Sequence, residues 1–270
     1  MSTLSVVIPS LDDARLLAHC LEALAGQRRP PDEVIVVDNG STDETAEVAR
    51  AAGARVVHEP IRGVLHATAA GFDAATGDVI GRLDADSVPG RDWTARIEAR
   101  FAADPTLTAV TGSGTFYGRG AFWRFVGRHV YIGGYLWVFR AVLGRMPLFG
   151  SNFAIRRDAW LTVRERVHLD DPRAHDDLDI SLVLDPDMGV DFDRALDVGV
   201  SARPFDDWAG FGRRASWAFH IVGVNLREVG WLRRLWLCAR GRRRRRAAQR
   251  ALGIRPAGCL DGPPAAVRRG

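Results

Sequence analysis

Val79-Ile-Gly-Arg-Leu-Asp-Ala-Asp-Ser-Val-Pro-Gly-Arg-Asp-Trp93 decides how the rest of the chain is read. An apolar run of strand character stops at Asp84-Ala85-Asp86, and a Pro-Gly turn then precedes a fresh helical pattern. Carboxylates therefore gather at the carboxyl end of a strand, the edge where open α/β sheets bind ligands. Two unscreened charges about 4 Å apart repel by roughly 1–4 kcal/mol, and a divalent cation would turn that repulsion into attraction. The same two acids also suit a simple turn, as Asp does in many loops. Their neighbours in the chain decide between the two readings.

Upstream, Leu4-Ser-Val-Val-Ile-Pro9 reads as a buried strand closed by Pro, and an amphipathic helix follows from Asp12-Asp13 to about Leu24. Glu33 to Asp38 is a second strand. Asn39-Gly-Ser-Thr-Asp43 then makes a turn whose Ser or Thr is expected to cap a helix through Ala52, with Gly53 as its stop. Ala54 to His58 is a third strand, and Gly63 to Thr76 a third helix ending at Gly77. This alternation predicts an α/β fold, a mostly parallel sheet with right-handed crossovers. Strand-terminal residues then share one rim, so Pro9, Asp12, Asp38 and Asp84 to Asp86 should converge there.

A dinucleotide-binding fold shares the alternation but fails locally. Pro-Ser-Leu-Asp-Asp after the first strand lacks the glycines that let a backbone approach a pyrophosphate, and Gly112-Ser-Gly114-Thr-Phe-Tyr117 carries Tyr where the third Gly belongs. No Walker A segment is present either.

With these residues in view, the first 93 residues resemble the nucleotide-binding half of family 2 glycosyltransferases of the GT-A fold. The resemblance rests on Val6-Val-Ile-Pro-Ser10, Val36-Val-Asp-Asn-Gly-Ser-Thr-Asp43, Gly63 with its helix, Thr76-Gly77-Asp78 and Leu83-Asp-Ala-Asp86, in matching order and spacing. It implies that Pro9, Ser10, Leu11, Asp12 and Asp38 hold the nucleoside. It implies too that Asp84 and Ala85 meet the ribose or diphosphate, and that Asp86 coordinates Mn2+ or Mg2+, for which hard oxygen ligands are suited. Asp12 departs from the family pattern, which often has Glu there.

The second half matches more loosely. Phe149-Gly-Ser-Asn-Phe-Ala-Ile-Arg-Arg157 resembles the family's Gly-x-Asn segment, which places Gly150, Ser151 and Asn152 against the acceptor. His175-Asp-Asp-Leu-Asp-Ile-Ser181 resembles its Glu-Asp-x-Asp-Leu motif, with Asp177 at the catalytic base and Asp176 at the preceding acid. An acceptor hydroxyl is a poor nucleophile, so a carboxylate within hydrogen-bond reach has to take its proton. Asp177 equally suits a helix cap. His175 could assist a metal or simply be solvated, and Arg156-Arg157 and Arg213-Arg214 could contact diphosphate or pair with surface acids.

Composition sets the frame. The 270 residues are 47% hydrophobic and 26% charged, ordinary for a globular protein, and every basic residue other than His is Arg. Three cysteines without metal-ligand spacing suit a reducing compartment, the chain opens directly into a strand with no signal-peptide pattern, and its longest apolar run, Val130 to Phe139, falls far short of a span. From Arg203 onward there are 16 arginines against 4 acids, so the rear of the chain is strongly basic and the front acidic.

Phe122 to Leu143 reads as an aromatic-rich amphipathic helix that packs as core, lines an acceptor groove or touches lipid. Trp208 to Leu237 has the same flavour and leads into Arg242 to Arg246, a run suited to acidic lipid at about 1 kcal/mol per residue or to solvent. No nucleic-acid motif accompanies the run, so nucleic acid is not an expected partner.

The expectation is a GT-A catalytic domain over residues 1–205, with a nucleotide-sugar half (1–115) and an acceptor half (116–205). A helical basic extension (206–252) and a disordered tail (253–270) follow. The expected activity is metal-dependent, inverting transfer from a UDP- or GDP-sugar to a hydroxyl acceptor, lipid-linked in one version, in the cytoplasm or on the inner face of the cell membrane. A sugar nucleotidyltransferase would want a Gly-rich loop after the first strand, and a nonenzymatic Arg-rich binding protein would leave the front acids unexplained.

Overall fold

The computed structural model describes residues 2–118, 120–203 and 208–254. Eight strands form one sheet in the order β3-β2-β1-β4-β7-β6-β8-β5. Its first half comes from β1 (Leu4–Ser10), β2 (Glu33–Asp38), β3 (Arg55–His58) and β4 (Val79–Arg82). These four run parallel, and each crossover carries a helix: α1 (Ala14–Ala25), α2 (Thr45–Ala51) or α3 (Val64–Ala74). The strands are nearly continuous Val, Ile and Leu because both of their faces are covered. Val6 and Ile8 enter one layer with Leu17, Cys20 and Leu24 of α1, while Val7 enters the opposite layer with Leu65 and Phe72 of α3. Gly71 allows the α3 contact, since a Cβ there would lie 2.3 Å from Val7 Cγ1.

The second half is mixed. β6 (Leu107–Tyr117) and β8 (Gly189–Ser201) pair in parallel, β7 (Phe153–Arg156) runs antiparallel to both β4 and β6, and the short β5 (Val88–Pro89) runs antiparallel to β8. Because β7 is reversed, the Gly150-Ser151-Asn152 segment before it lies at the same rim as the carboxyl ends of β1, β2, β4, β6 and β8. Gly112-Ser-Gly114, which begins like a dinucleotide fingerprint, sits inside β6. A Cβ on Gly112 would collide with Leu196 O at 1.8 Å, so the glycine serves strand packing.

The remaining helices are α4 (Trp93–Ala103), α5 (Ala121–Phe125), α6 (Gly133–Leu143), α7 (Arg157–Val163), α8 (Asp176–Val183), α9 (Trp208–Val229) and α10 (Trp231–Ala251). A π-helical stretch, Val126–Ile132, joins α5 to α6. Core packing, one of the readings its sequence offered, holds for its inner face. Ile132, Leu136, Phe139 and Leu143 are core, while Phe122, Phe125, Val130 and Trp137 face outward.

Three local expectations are corrected. Neither Ser41 nor Thr42 caps α2; the Asp43 carboxylate accepts from the Thr45 N–H at 3.0 Å. Within the helical Arg242–Arg246 run, expected to face lipid or solvent, Arg245 turns inward to pair with Asp104 and Asp191, both at 2.6 Å. Arg156 and Arg157 bind the carbonyls of Leu107 and Ala75 near the start of β4, the end of the sheet away from the acids. The side chains of Arg213 and Arg214, and residues 255–270 of the expected tail, lie outside the described residues.

Candidate active site

Asp38, Asp84, Asp86 and Asp177 gather at the rim where the parallel strands end. Strand geometry accounts for the first two: Ser10 is in register with Asp38, and Leu83 N donates to Val7 O as β4 runs out beside β1. The chain then turns tightly, with Ser87 N donating to Asp84 O at 3.0 Å, before β5 begins at Val88.

The donor wall is built from two loops stapled together. Asp12 has a positive φ of 52°, and its carboxylate accepts from the Thr42 N–H at 2.7 Å and the Thr42 hydroxyl at 3.1 Å. The Thr42 N–H holds this exposed carboxyl below its ordinary value. Asp12 thus joins the loop after β1 to the loop after β2, both bonds falling on Oδ1. Asp38 accepts from the Ser41 N–H at 3.0 Å and faces His58 at 3.6 Å, so it is turn former and rim acid at once. Pro9 is half-buried, Leu11 is exposed at the mouth, and the Ser10 hydroxyl is buried with no partner among the described residues. Ala85 is buried in the core, so only its backbone can meet a ligand.

Arg82 organises the centre. It is among the largest fully buried side chains, and its guanidinium pairs with Asp84, with Asp176 at 2.7 Å and with the carbonyl of Gly150. One arginine thereby ties Asp84, the Gly150 segment before β7 and the first turn of α8. Burial alone would favour its neutral form, but the charges of Asp176 and Asp84 outweigh that and hold the proton more firmly than usual. The reading of the sequence gave Arg82 no role. Its signal was there: a charged residue inside an otherwise apolar strand needs a buried partner.

The carboxyls diverge in charge state. Burial pushes Asp84 up, yet Arg82 and the Ser151 hydroxyl prevail and leave it below the ordinary range. Asp86 moves the other way, raised to about 6 by burial and by the Asp84 charge despite its pairing with Arg203. Asp177 is raised by burial and by neighbouring Asp176, and accepts the Gly150 N–H at 2.9 Å. Burial and then the charges of Asp177 and Asp176 push the Tyr135 phenol well up, which places this inner-face residue of α6 beside the same acids.

Two acceptor-side expectations change. Asn152 is wholly buried; it takes the Trp93 indole N–H at 2.8 Å and donates to Ser113 O at 2.8 Å and Leu196 O at 2.6 Å. It therefore ties α4, β6 and β8 together at the rim and has no face for an acceptor. Asp176 is 1% exposed, held by Arg82 and by the Thr68 hydroxyl at 2.7 Å, so it offers no contact surface. Gly150 and Ser151 are buried as well, the Gly150 N–H donating to Asp177 and the Ser151 hydroxyl to Asp84, while Asp177 is half-buried. Nearby, Asp171 is engaged by His220 and Arg173 and takes no part.

The donor set fits a hard divalent cation. Asp84 and Asp86 supply carboxylate oxygens from one loop, the hard ligands such an ion takes. His175, Asp176 and Asp177 offer a second grouping, with ligand atoms within 4.8 Å of one another, although Asp176 is already committed to Arg82.

Residues 5–161, more than half of the chain, match Glycosyl transferase family 2, and the chain belongs to that family. The glycosyltransferase AglE of Haloferax volcanii is 33% identical over 100 residues, covering 34% of this chain and 33% of that protein. A PGL/p-HBAD biosynthesis glycosyltransferase of Mycobacterium bovis is 37% identical over 102 residues, covering 35% and 40%. The chain thus spans well under half the length of these relatives. Among solved structures, glucosyl-3-phosphoglycerate synthase of Mycobacterium tuberculosis shares the fold, with a TM-score of 0.58, 22% identity and coverage of 82% of this chain and 80% of that one. That structure is a complex with Mn2+, UDP-glucose and phosphoglyceric acid, and another of the same enzyme holds Mg2+ and UDP.

Proposed function

We propose that this glycosyltransferase moves a sugar from a UDP- or GDP-sugar to a hydroxyl acceptor with inversion, assisted by Mn2+ or Mg2+. The observation that carries the reading is the Arg82 hub, which fixes the donor acid Asp84 and the support of the base, Asp176, in one network. Asp38 and the loop after β1 receive the nucleoside, and Asp84 and Asp86 face the diphosphate. Asp86, with Asp84, would hold the cation, which when bound neutralises the charge of the departing diphosphate.

Asp177 takes the acceptor proton. Its raised affinity for a proton makes it a stronger base than an ordinary carboxylate, and the Gly150 and Leu178 N–H groups orient its two oxygens, each of which keeps a lone pair for the acceptor proton. Arg82 keeps the charge of Asp176 compensated, so that burying two adjacent carboxylates is tolerated. A single base suits one in-line displacement, hence inversion. The test is the anomeric configuration of the product by NMR, together with transfer by Asp177→Asn. An inverted product and lost transfer support the assignment; a retained configuration or undiminished transfer contradicts it.

We place the reaction at the inner face of the cell membrane, with a lipid-linked acceptor. The support is a surface of aromatic and arginine residues: no acid occurs from Pro105 to Arg157 or anywhere in α10. Phe122, Phe125 and Trp137 of the α5–α6 segment face out, as do Trp231, Leu232 and Trp236 of α10, with Arg240 over the Trp236 ring. Trp231 donates to Val142 O at 3.1 Å, which brings the two elements together. Tyr135 on the inner side of the same segment lies beside the base. Among the described residues no helix is long and apolar enough to cross a membrane, so docking would be peripheral. Flotation with phosphatidylglycerol vesicles is expected to carry the protein and phosphatidylcholine vesicles to leave it behind; equal behaviour with both would contradict the placement.

A further inference from the structure

Asp86 already has a cation, and it belongs to the protein. Arg203, two residues beyond the end of β8, reaches across the rim and places Nη2 3.1 Å from Asp86 Oδ2. Its Nη1 lies 2.6 Å from Asp13 Oδ1, and Nη2 is 3.4 Å from Asp13 Oδ2. Asp13 precedes α1, in the loop after β1 that forms the donor wall. One guanidinium therefore bridges the wall to the carboxylate best placed for a metal. Tyr117, in register with Ser201, donates its hydroxyl to the Asp86 carbonyl at 2.8 Å, so β6 and β8 hold the Asp86 backbone while Arg203 holds its side chain.

The two contacts differ in a useful way. Asp13 takes the shorter bond and both nitrogens, whereas Asp86 gives one oxygen to one nitrogen at longer range. Arg203 is half exposed, while the Asp86 carboxylate is largely enclosed. A guanidinium on a side chain with this freedom can leave Asp86 while staying tied to Asp13. A planar monovalent cation on a carboxylate oxygen and a divalent ion on that oxygen exclude one another, because both need the same lone pairs and repel in an enclosed site.

We infer that Arg203 is a displaceable counter-cation of Asp86, which disfavours binding of a free divalent ion and makes metal uptake depend on the donor. The inference rests on the proposed metal-assisted donor site. When a nucleotide diphosphate arrives, its phosphates add negative charge at the rim, so the repulsion between Arg203 and the incoming ion is offset and Arg203 can yield the Asp86 oxygen to the ion while staying on Asp13 beside it. Without the diphosphate they compete. Arg203 is thus a positioning residue that sets the order of assembly: donor and metal together, not metal first.

The test is Mn2+ binding, followed by EPR of the free ion, to the full chain and to Arg203→Gln and Arg203→Lys, with and without UDP. Removing a half-exposed pair of this kind is expected to tighten Mn2+ binding about two- to fivefold in the absence of nucleotide. The gain should vanish with saturating UDP, and Arg203→Lys, which keeps the charge, should stay near wild type. Circular dichroism melts check that the variants are folded. If Mn2+ binds in the presence of UDP but Arg203→Gln is no tighter than wild type without it, the counter-cation role is overturned and the metal site stands. If no variant binds Mn2+ under either condition, both readings fall.

Discussion

Arg82→Leu is the most informative single substitution in the molecule. It removes the guanidinium from a fully buried position and leaves Asp176, itself 1% exposed, with the Thr68 hydroxyl as its remaining recorded partner. Breaking a buried ion pair from one side typically costs about 3–5 kcal/mol, because the surviving charge stays desolvated. At about 2–4 °C of melting temperature per kcal/mol for a domain of this size class, the fall should be about 6–20 °C. Asp84, more exposed, can rehydrate and adds little to the cost. The double variant Arg82→Leu/Asp176→Leu replaces the pair by apolar groups and should recover at least half of the lost stability. It should not recover transfer, since Asp84 and the Gly150 segment lose their common anchor. Guanidinium denaturation of the two single variants and the double gives the coupling directly. If Arg82→Leu melts within 1–2 °C of wild type, or the double variant is less stable than both singles, Arg82 is not the hub described.

Asp177→Asn is expected to bind donor normally and to lose transfer by roughly 10²–10⁴-fold, the usual worth of a positioned base, measured by product formation alongside donor titration. Asp86→Ala should abolish the metal-dependent part of donor binding in calorimetry. In metal-free protein the Asp86 carboxyl, raised to about 6, holds its proton more tightly when folded than when unfolded. Stability should therefore fall as pH rises from about 4 to 6, and added Mn2+ should restore it above that range; melts across pH show whether it does. Asn152→Ala should cost about 2–4 kcal/mol by stranding the Trp93 indole and two buried carbonyls, with little change in acceptor KM among the molecules that fold.

The first half of the fold was legible because its signals are local. Val-rich strands, turn residues and helix stops alternate with a short period, and strand-terminal acids at Asp38 and Asp84 follow from parallel topology alone. The second half was not. β6 and β8 meet across about eighty residues of sequence, and β7 is reversed, so no local pattern announces that Gly150 returns to the rim. Side-chain roles divided along the same line. Asp177 could be placed by motif, but whether Asn152 and Asp176 face a ligand or the interior depends on partners, Trp93 and Arg82, whose proximity is tertiary. Arg203 and Arg245 looked alike as members of a basic rear. One reaches the active-site rim and the other pairs with Asp104 and Asp191, and only packing distinguishes them.

The account's central claim is that acids brought from three parts of the chain form one metal-assisted nucleotide site. Calorimetric titration of UDP and GDP into wild type, Asp38→Ala and Asp86→Ala, each with Mn2+ and with excess chelator, tests it most directly. One of the two nucleotides should bind wild type with Mn2+, weaken by tenfold or more in chelator, and weaken in both variants, Asp86→Ala alone becoming indifferent to metal. Absence of binding by either nucleotide, or binding that neither chelator nor the two substitutions disturbs, would contradict the claim.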